Sequence, residues 1–176
     1  MRAKTCKACQ IKFIPERQFQ AVCSWECSLE YNKILKQKKV RKEKKEFKEN
    51  DIAVLKRLAQ TLVNKWIRVR DNALPCISCG FNGDSRQWHA SHYMPMGNNS
   101  AIRFNEENIH KACSICNNHL SGNLVPYRFA LINKIGIDRV EWLEQQKQPK
   151  KWSLEELKEI IKTYKEKIKN KEKGSQ

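Results

Sequence analysis

The sequence predicts an α+β fold, mainly helical, in which a small zinc-stapled core carries flanking helices and an N-terminal zinc knuckle. Three observations lead there. All eight cysteines fall into close pairs: Cys6/Cys9, Cys23/Cys27, Cys76/Cys79 and Cys113/Cys116. Long stretches outside those pairs are built from good helix formers, with only 6 glycines and 5 prolines among 176 residues. Between the last two pairs lies a His-centred strand, W-H-A-S-H-Y, in a segment that holds every histidine of the chain.

The cysteine pairs come first. With no apolar export segment at the N-terminus, disulfides are disfavoured, and C-x-x-C pairs point to metal or redox chemistry. A thioredoxin-like site would need one such pair opening a helix in an α/β pattern, which four pairs without that pattern do not resemble. Two pairs supply the four thiolates of a tetrahedral zinc site. Grouped along the chain, Cys6, Cys9, Cys23 and Cys27 hold one Zn²⁺, and Cys76, Cys79, Cys113 and Cys116 hold another. The first loop has thirteen residues between its pairs and the second thirty-three, room for a functional insert. Closed Cys₄ shells make both ions structural; the alternative is a reduced, partly buried set of thiols.

The remaining elements follow in order. Residues 1–27 form the knuckle, with Phe13, Phe19 and Trp25 as its few apolar packing residues, too small to fold without metal. Residues 28–72 form a helical region in two parts. From Lys33 to Glu49 there are nine Lys/Arg and three Glu with few apolar residues, a solvated or polyanion-facing helix or a partly disordered linker. From 52 to 70, Ile52, Leu55, Leu58, Ala59, Leu62, Val63, Trp66 and Ile67 recur at helical spacing and should dock on the core. Residues 73–135 carry the second zinc set, followed by a helix from Pro126 to about Lys134 that Gly136 stops. Residues 136–176 hold a short helix around Ile137, Val140 and Leu143. After Pro149 comes a last helix, opened by a Ser153/Glu156 capping box, with Leu154, Leu157, Ile160, Ile161, Tyr164 and Ile168 on one face.

Charge narrows the function. The formal net charge is +16 at pH 7, and it stays strongly positive when all cysteines are thiolates on two zinc ions. A polyanionic partner follows. No stretch approaches the roughly 20 apolar residues of a membrane helix, and no signal peptide is evident. The expectation is a cytoplasmic protein without membrane contact.

The insert carries the chemistry. His89, His92, His110 and His119 cluster there, and histidine is the usual general base near neutral pH and a common metal ligand. Asn117 directly follows a zinc cysteine, which pins its backbone, and its amide oxygen suits Mg²⁺. The run C-x-x-C-G, the His-centred strand and N-I-H-x-x-C-x-x-C-N-x-H resemble an HNH, or ββα-metal, nuclease whose hairpin and helix are stapled by Cys₄ zinc. The nine-residue step from Asn108 to Asn117 matches that pattern. More closely, W-H-A-S-H-Y, R-F-N-E-E-N-I-H-K, C-N-x-H-x-S-G-N-L-V-P-Y-R and the N-terminal C-x-x-C…C-S-x-x-C are similar to the NinG (Rap) family of phage lambda recombination proteins, over nearly the whole chain.

That resemblance implies an HNH-like core over 73–135. It also implies a structure-specific endonuclease of phage recombination that cuts branched DNA, such as Holliday junctions and D-loops, in the bacterial host. The cofactor would be Mg²⁺, with Mn²⁺ able to serve. Carried over by position, His92 is the general base, Asn108 the residue that braces the hairpin loop and Asn117 the divalent-metal ligand. Where such enzymes often place an acid or histidine just before the base, this chain has Ser91. His89 stands where a related version has Asp, and binds Mg²⁺, orients His92 or does neither; His119 is a further ligand candidate. Water deprotonated by His92 would attack phosphorus while one Mg²⁺ steadies the leaving 3′ oxygen. Asp84, Glu106 and Glu107 are the only carboxylates in the insert, so a two-metal site on paired acids is not expected. Arg103, Lys111 and Arg128 are candidates for the scissile phosphate. Lys38, Lys39, Arg41 and Lys42 would give salt-sensitive contacts to DNA phosphates without reading base sequence.

A rival reading makes the chain a non-catalytic zinc module that binds branched DNA or bridges recombination proteins. A sequence-specific homing endonuclease is weakened because no separate base-reading domain is evident. Symmetric junction resolution needs two active sites, which suggests a homodimer through 28–70, and a phage recombinase is a further partner candidate.

Overall fold

The computed structural model describes residues 2–174, which divide into one unit ending at Asn50 and another beginning at Asp51. In the first unit, β1 (Lys4–Thr5) pairs antiparallel with β2 (Lys12–Phe13), with Lys4 opposite Phe13. Helix α1 runs Trp25–Asn50 and begins inside the cysteine motif, so Cys27 lies in its first turn. The basic stretch is therefore helical rather than a linker, and none of its residues is buried. The expected packing of Phe19 and Trp25 is not found: they are 86% and 72% exposed. Only Cys6 and Pro15 are buried among the described residues of this unit. Four converging thiols, not an apolar core, hold it together.

In the second unit, α2 (Ile52–Arg70) starts at Asp51, whose carboxylate accepts from the amides of Ala53 (2.7 Å) and Val54 (3.0 Å). This satisfies two of the amide donors left over at a helix start. Its stripe of Leu55, Ala59, Val63 and Ile67 is buried against Leu157, Ile161 and Tyr164 of the terminal helix α5 (Leu154–Lys173). Each fully buried large side chain in this seam contributes about 1.5–3 kcal/mol. The capping box at the start of α5 forms as the sequence predicts, with Ser153 Oγ accepting from the Glu156 amide and Glu156 accepting from the Ser153 amide.

Between the helices lies a hairpin of β3 (Trp88–His92) and β4 (Ile109–Cys113), antiparallel with Trp88 opposite Cys113 and His92 opposite Ile109. Side chains alternate across a strand. Ala90 and Ile109 pack into the α2–α5 core on one face. His110 and the Ser91 carbonyl meet Tyr127 on the other. Covered on both sides, all five residues of β4 are buried. Tyr127 belongs to α3 (Leu124–Ile135), which with α4 (Ile137–Gln145) encloses a second core of Tyr93, Ile102, Leu131, Val140 and Leu143. Gly136 joins α3 to α4 at φ +85°, ψ 156°, and a side chain there would meet nothing within 4 Å. The constraint is thus the backbone conformation, which is essentially reserved for glycine. No long helix follows β4: a five-residue π turn, Ile115–His119, comes first, then Ser121 and Asn123 at positive φ, and only then α3. Among the described residues, no helix is long and apolar enough to cross a membrane.

Candidate functional site

Each cysteine quartet gathers as its spacing predicts, with ligand atoms all within 4.8 Å of one another. Sulfur separations are 3.5 Å for Cys23–Cys27, 3.6 Å for Cys9–Cys23 and 3.8 Å for Cys79–Cys113. A tetrahedral Zn²⁺ with 2.3 Å bonds needs sulfurs roughly 3.8 Å apart, so both quartets fit the ion. The thiols anticipate it. Burial opposes ionisation of Cys113, yet the Cys116 amide and the Arg86 guanidinium outweigh it and hold Cys113 near 6. At Cys6, burial is likewise outweighed by backbone amides of Cys9, Ala8 and Cys23, giving about 6. The last thiols resist: burial and the neighbouring sulfurs push Cys116 up to about 12, and Cys27, Cys9 and Cys6 do the same to Cys23. A divalent cation would resolve that crowding by binding all four as thiolates.

The second quartet also fastens the hairpin to the π turn. The Ile77 amide donates to the Lys111 carbonyl (3.0 Å) and the Cys113 amide to Cys76 Sγ (3.3 Å). Beyond the turn, Gly122 donates its amide to the Cys116 carbonyl (2.8 Å), while its own carbonyl accepts from Ser78 Oγ (3.0 Å).

Beside that turn lies a cleft of about 340 Å³, lined by His92 of β3, Asn117, Ser121 and Gly122 of the turn region, Pro95, and Asn64 of α2. His92 Nε2 lies 3.0 Å from the Arg103 carbonyl. A carbonyl only accepts, so Nε2 carries the proton and Nδ1 keeps its lone pair. Burial, helped by the Arg103 charge and opposed by the hydrogen bond to its carbonyl, lowers the His92 pKa below 6.5 and keeps the ring neutral at pH 7. Asn117 Nδ2 donates to Asn118 Oδ1 (2.7 Å), leaving Asn117 Oδ1 to accept. A proton acceptor and a hard oxygen donor therefore share one opening. Asn117 Oδ1 is a hard oxygen able to serve as one ligand of a cation such as Mg²⁺.

Asn108 is fully buried away from the cleft. Its Oδ1 accepts from the Met94 amide (2.8 Å), and its Nδ2 donates to the carbonyls of Met94 (3.1 Å) and Ile102 (3.4 Å). It closes the loop from β3 that returns Arg103 to His92. His89 and His119 are not among the cleft residues. Strand alternation puts His89 on the opposite face of β3 from His92, with its Nε2 buried and unpartnered among the described residues; His119 is exposed at the end of the π turn.

The expected phosphate contacts divide. Lys111 is 4% exposed, donates from Nζ to the Asn72 carbonyl (2.8 Å) and sits over the Trp88 ring, so it faces inward and cannot meet DNA. Its place in the middle of a strand covered on both faces decides this. Arg128 is held by Glu144 at 2.7 and 3.2 Å. Arg103 has a buried Nε without a partner among the described residues, and burial lowers its pKa. Lys38, Lys39, Arg41 and Lys42 are exposed on α1, where Lys39 and Lys42 pair with Glu43 and Glu46. Glu106 is engaged by Trp66, Arg70 and Lys167, and Glu107 by Arg139. Two residues without a predicted role matter here. His110 is buried on Tyr127, its pKa driven down to about 3 by burial and then by Lys134 and Arg70. Asn64 carries no local signal, being one polar position on an amphipathic helix.

A family model described as Bacteriophage Lambda NinG protein matches residues 1–174. "Protein ninG" of Escherichia phage lambda is 49% identical over 112 residues, covering 64% of this chain and 54% of the relative. The protein of the same name from Salmonella phage P22 is also 49% identical over 112 residues, covering 64% and 55%. That from Enterobacteria phage H19B is 50% identical over 102 residues, covering 58% and 50%. The chain thus spans about half the length of the curated relatives it matches. No solved structure matches it.

Proposed function

This chain belongs to the NinG family of bacteriophage lambda, and from that premise we propose that it is a divalent-metal-dependent endonuclease that cuts branched DNA during phage recombination. One observation carries the reading: His92, with Nδ1 accepting, and Asn117, with Oδ1 accepting, line the same cleft. The hairpin β3–β4, followed by a zinc-pinned turn and α3, supports an HNH-like, ββα-metal arrangement. Here the π turn takes the place of the first turn of the usual helix.

In this reading the DNA backbone lies across the cleft. His92 Nδ1 removes a proton from water as its oxygen bonds to phosphorus; the phosphorus–O3′ bond breaks, and O3′ leaves as a hydroxyl after taking a proton from solvent. The Arg103 carbonyl keeps the imidazole in the tautomer this needs and stabilises the imidazolium that forms. Asn108 acts at a distance by fixing the loop that supplies that carbonyl. Asn117 is the residue that would hold Mg²⁺, which when bound supplies positive charge to the phosphate oxygens. The exposed bases of α1 give affinity for any duplex arm.

Cleavage of a synthetic four-way junction with Mg²⁺ tests this. Wild type should cut, and His92→Ala should bind equally but cut about 10²–10⁴-fold more slowly. Equal cutting by both proteins would refute the assignment of the base. Binding without cutting by wild type in Mg²⁺ and Mn²⁺ would support a non-catalytic DNA-binding module instead.

A further inference from the structure

The cleft has a third wall whose chemistry the roles above leave unused. Asn64 reaches it from α2, a different element from those that carry His92 and Asn117. One turn earlier on α2, Gln60 donates from Nε2 to Asn64 Oδ1 at 2.8 Å. Gln60 is 8% exposed, and its Oε1 is buried with no partner among the described residues. A buried amide that leaves one atom unpaired is an expensive way to fill space that an apolar side chain would fill well. What the pair does achieve is orientation. With Oδ1 engaged by Gln60, the Asn64 carboxamide is fixed about its last torsion, and its Nδ2 is left to donate into the cleft.

We propose that Asn64 is a substrate-contacting residue of the nuclease site: its Nδ2–H donates to a non-bridging oxygen of the scissile phosphate, and Gln60 is the positioning residue behind it. The assignment rests on the cleft being a phosphodiester site, as proposed above. His92 and Asn117 between them supply a base and a cation ligand but no hydrogen-bond donor to the phosphate, and Lys111 and Arg128 are committed elsewhere. Asn64 adds a neutral donor from a rigid helix beside the Ser121 hydroxyl of the turn region, and such a donor strengthens as charge builds on the phosphoryl oxygens.

Single-turnover cleavage of a four-way junction tests it in wild type, Asn64→Ala, Asn64→Asp and Gln60→Leu, with melting temperature and junction affinity measured alongside. Asn64→Ala should cut about 10–100-fold more slowly with unchanged affinity and a melting temperature only a few degrees lower, because the Gln60 Nε2 loses its acceptor. Asn64→Asp, which turns a donor into an anion facing phosphate, should be slower still. Gln60→Leu should fall between wild type and Asn64→Ala. The chemical signature uses the two phosphorothioate diastereomers at the mapped cut. Sulfur at the contacted oxygen should slow wild type but add little to Asn64→Ala, a coupling that a purely structural role would not produce. If wild type cuts and Asn64→Ala cuts equally fast, or if the sulfur effect is the same in both proteins, the assignment is overturned while the function stands. If Asn64→Ala does not fold, the coupling is read in Asn64→Asp, where an undiminished sulfur effect overturns the assignment in the same way. A wild type that cuts no branched DNA refutes the proposed function, and the assignment falls with it.

Discussion

Replacing Asn108 by Ala removes a side chain that ties the loop after β3 to the start of β4. Asn108 is fully buried. It makes a 2.8 Å bond from the Met94 amide, a 3.1 Å bond to the Met94 carbonyl and a long 3.4 Å bond to the Ile102 carbonyl. Two well-formed bonds at about 1 kcal/mol each, plus the cost of leaving the partly buried Met94 groups unpaired, come to about 3 kcal/mol. For a domain of this size that is a fall of about 10 °C in melting temperature. Equilibrium urea unfolding of the zinc-loaded protein measures it, with the midpoint moving and the slope unchanged. Asn108→Asp separates hydrogen bonding from packing. Its carboxylate still accepts from Met94 but faces two carbonyls, which raises its folded pKa. Stability should therefore be lost as pH rises through that pKa and partly return as pH falls and the acid can donate. Because the loop also returns Arg103 to His92, junction cutting should fall with stability. A loss under about 1 kcal/mol for Asn108→Ala would refute the view that this carboxamide closes the loop.

Three further outcomes are expected. Metal analysis should give one zinc per cysteine quartet, and Cys113→Ser should lose the second ion together with the cooperative melting of the hairpin, because its buried thiol joins β4 to the Cys76–Cys79 turn; full zinc content in that variant would count against the grouping. The His92 pKa is lowered by burial, so cutting should decline, as the ring takes up a proton, when pH falls through a value below 6.5. An acidic limb centred at or above 6.5 would contradict the buried neutral ring. Replacing Lys38, Lys39, Arg41 and Lys42 together by Ala should reduce the dependence of log affinity on log salt by about 0.9 for each phosphate no longer neutralised. Lys39 and Lys42 already face Glu43 and Glu46, so a reduction of about 2–4 is expected, read from binding titrations at several salt concentrations; an unchanged slope would remove α1 from the DNA interface.

The sequence by itself determined the main helices and the cysteine clusters. Helical spacing marked the buried stripe of α2, the Ser153/Glu156 pair marked the start of α5, and Gly136 marked the break between α3 and α4. Four thiols per quartet at short spacing can converge in few ways, so the clusters were legible without coordinates. These are local effects, set by neighbours within a turn or a short loop. Tertiary structure decided which polar groups remain available. Lys111 and Arg128 look alike as free cations in sequence, yet one is buried in a covered strand and the other is held by Glu144. Phe19 and Trp25 look like packing residues but lie exposed, because the metal motif has no apolar core to receive them. His89 and His92 sit three positions apart, and only the alternation of a strand packed on both faces sends them to opposite sides. Asn64 was invisible because its neighbours in the cleft come from β3 and the π turn, tens of residues along the chain. Which atoms share an opening depends on how separate elements pack, and no local pattern encodes that.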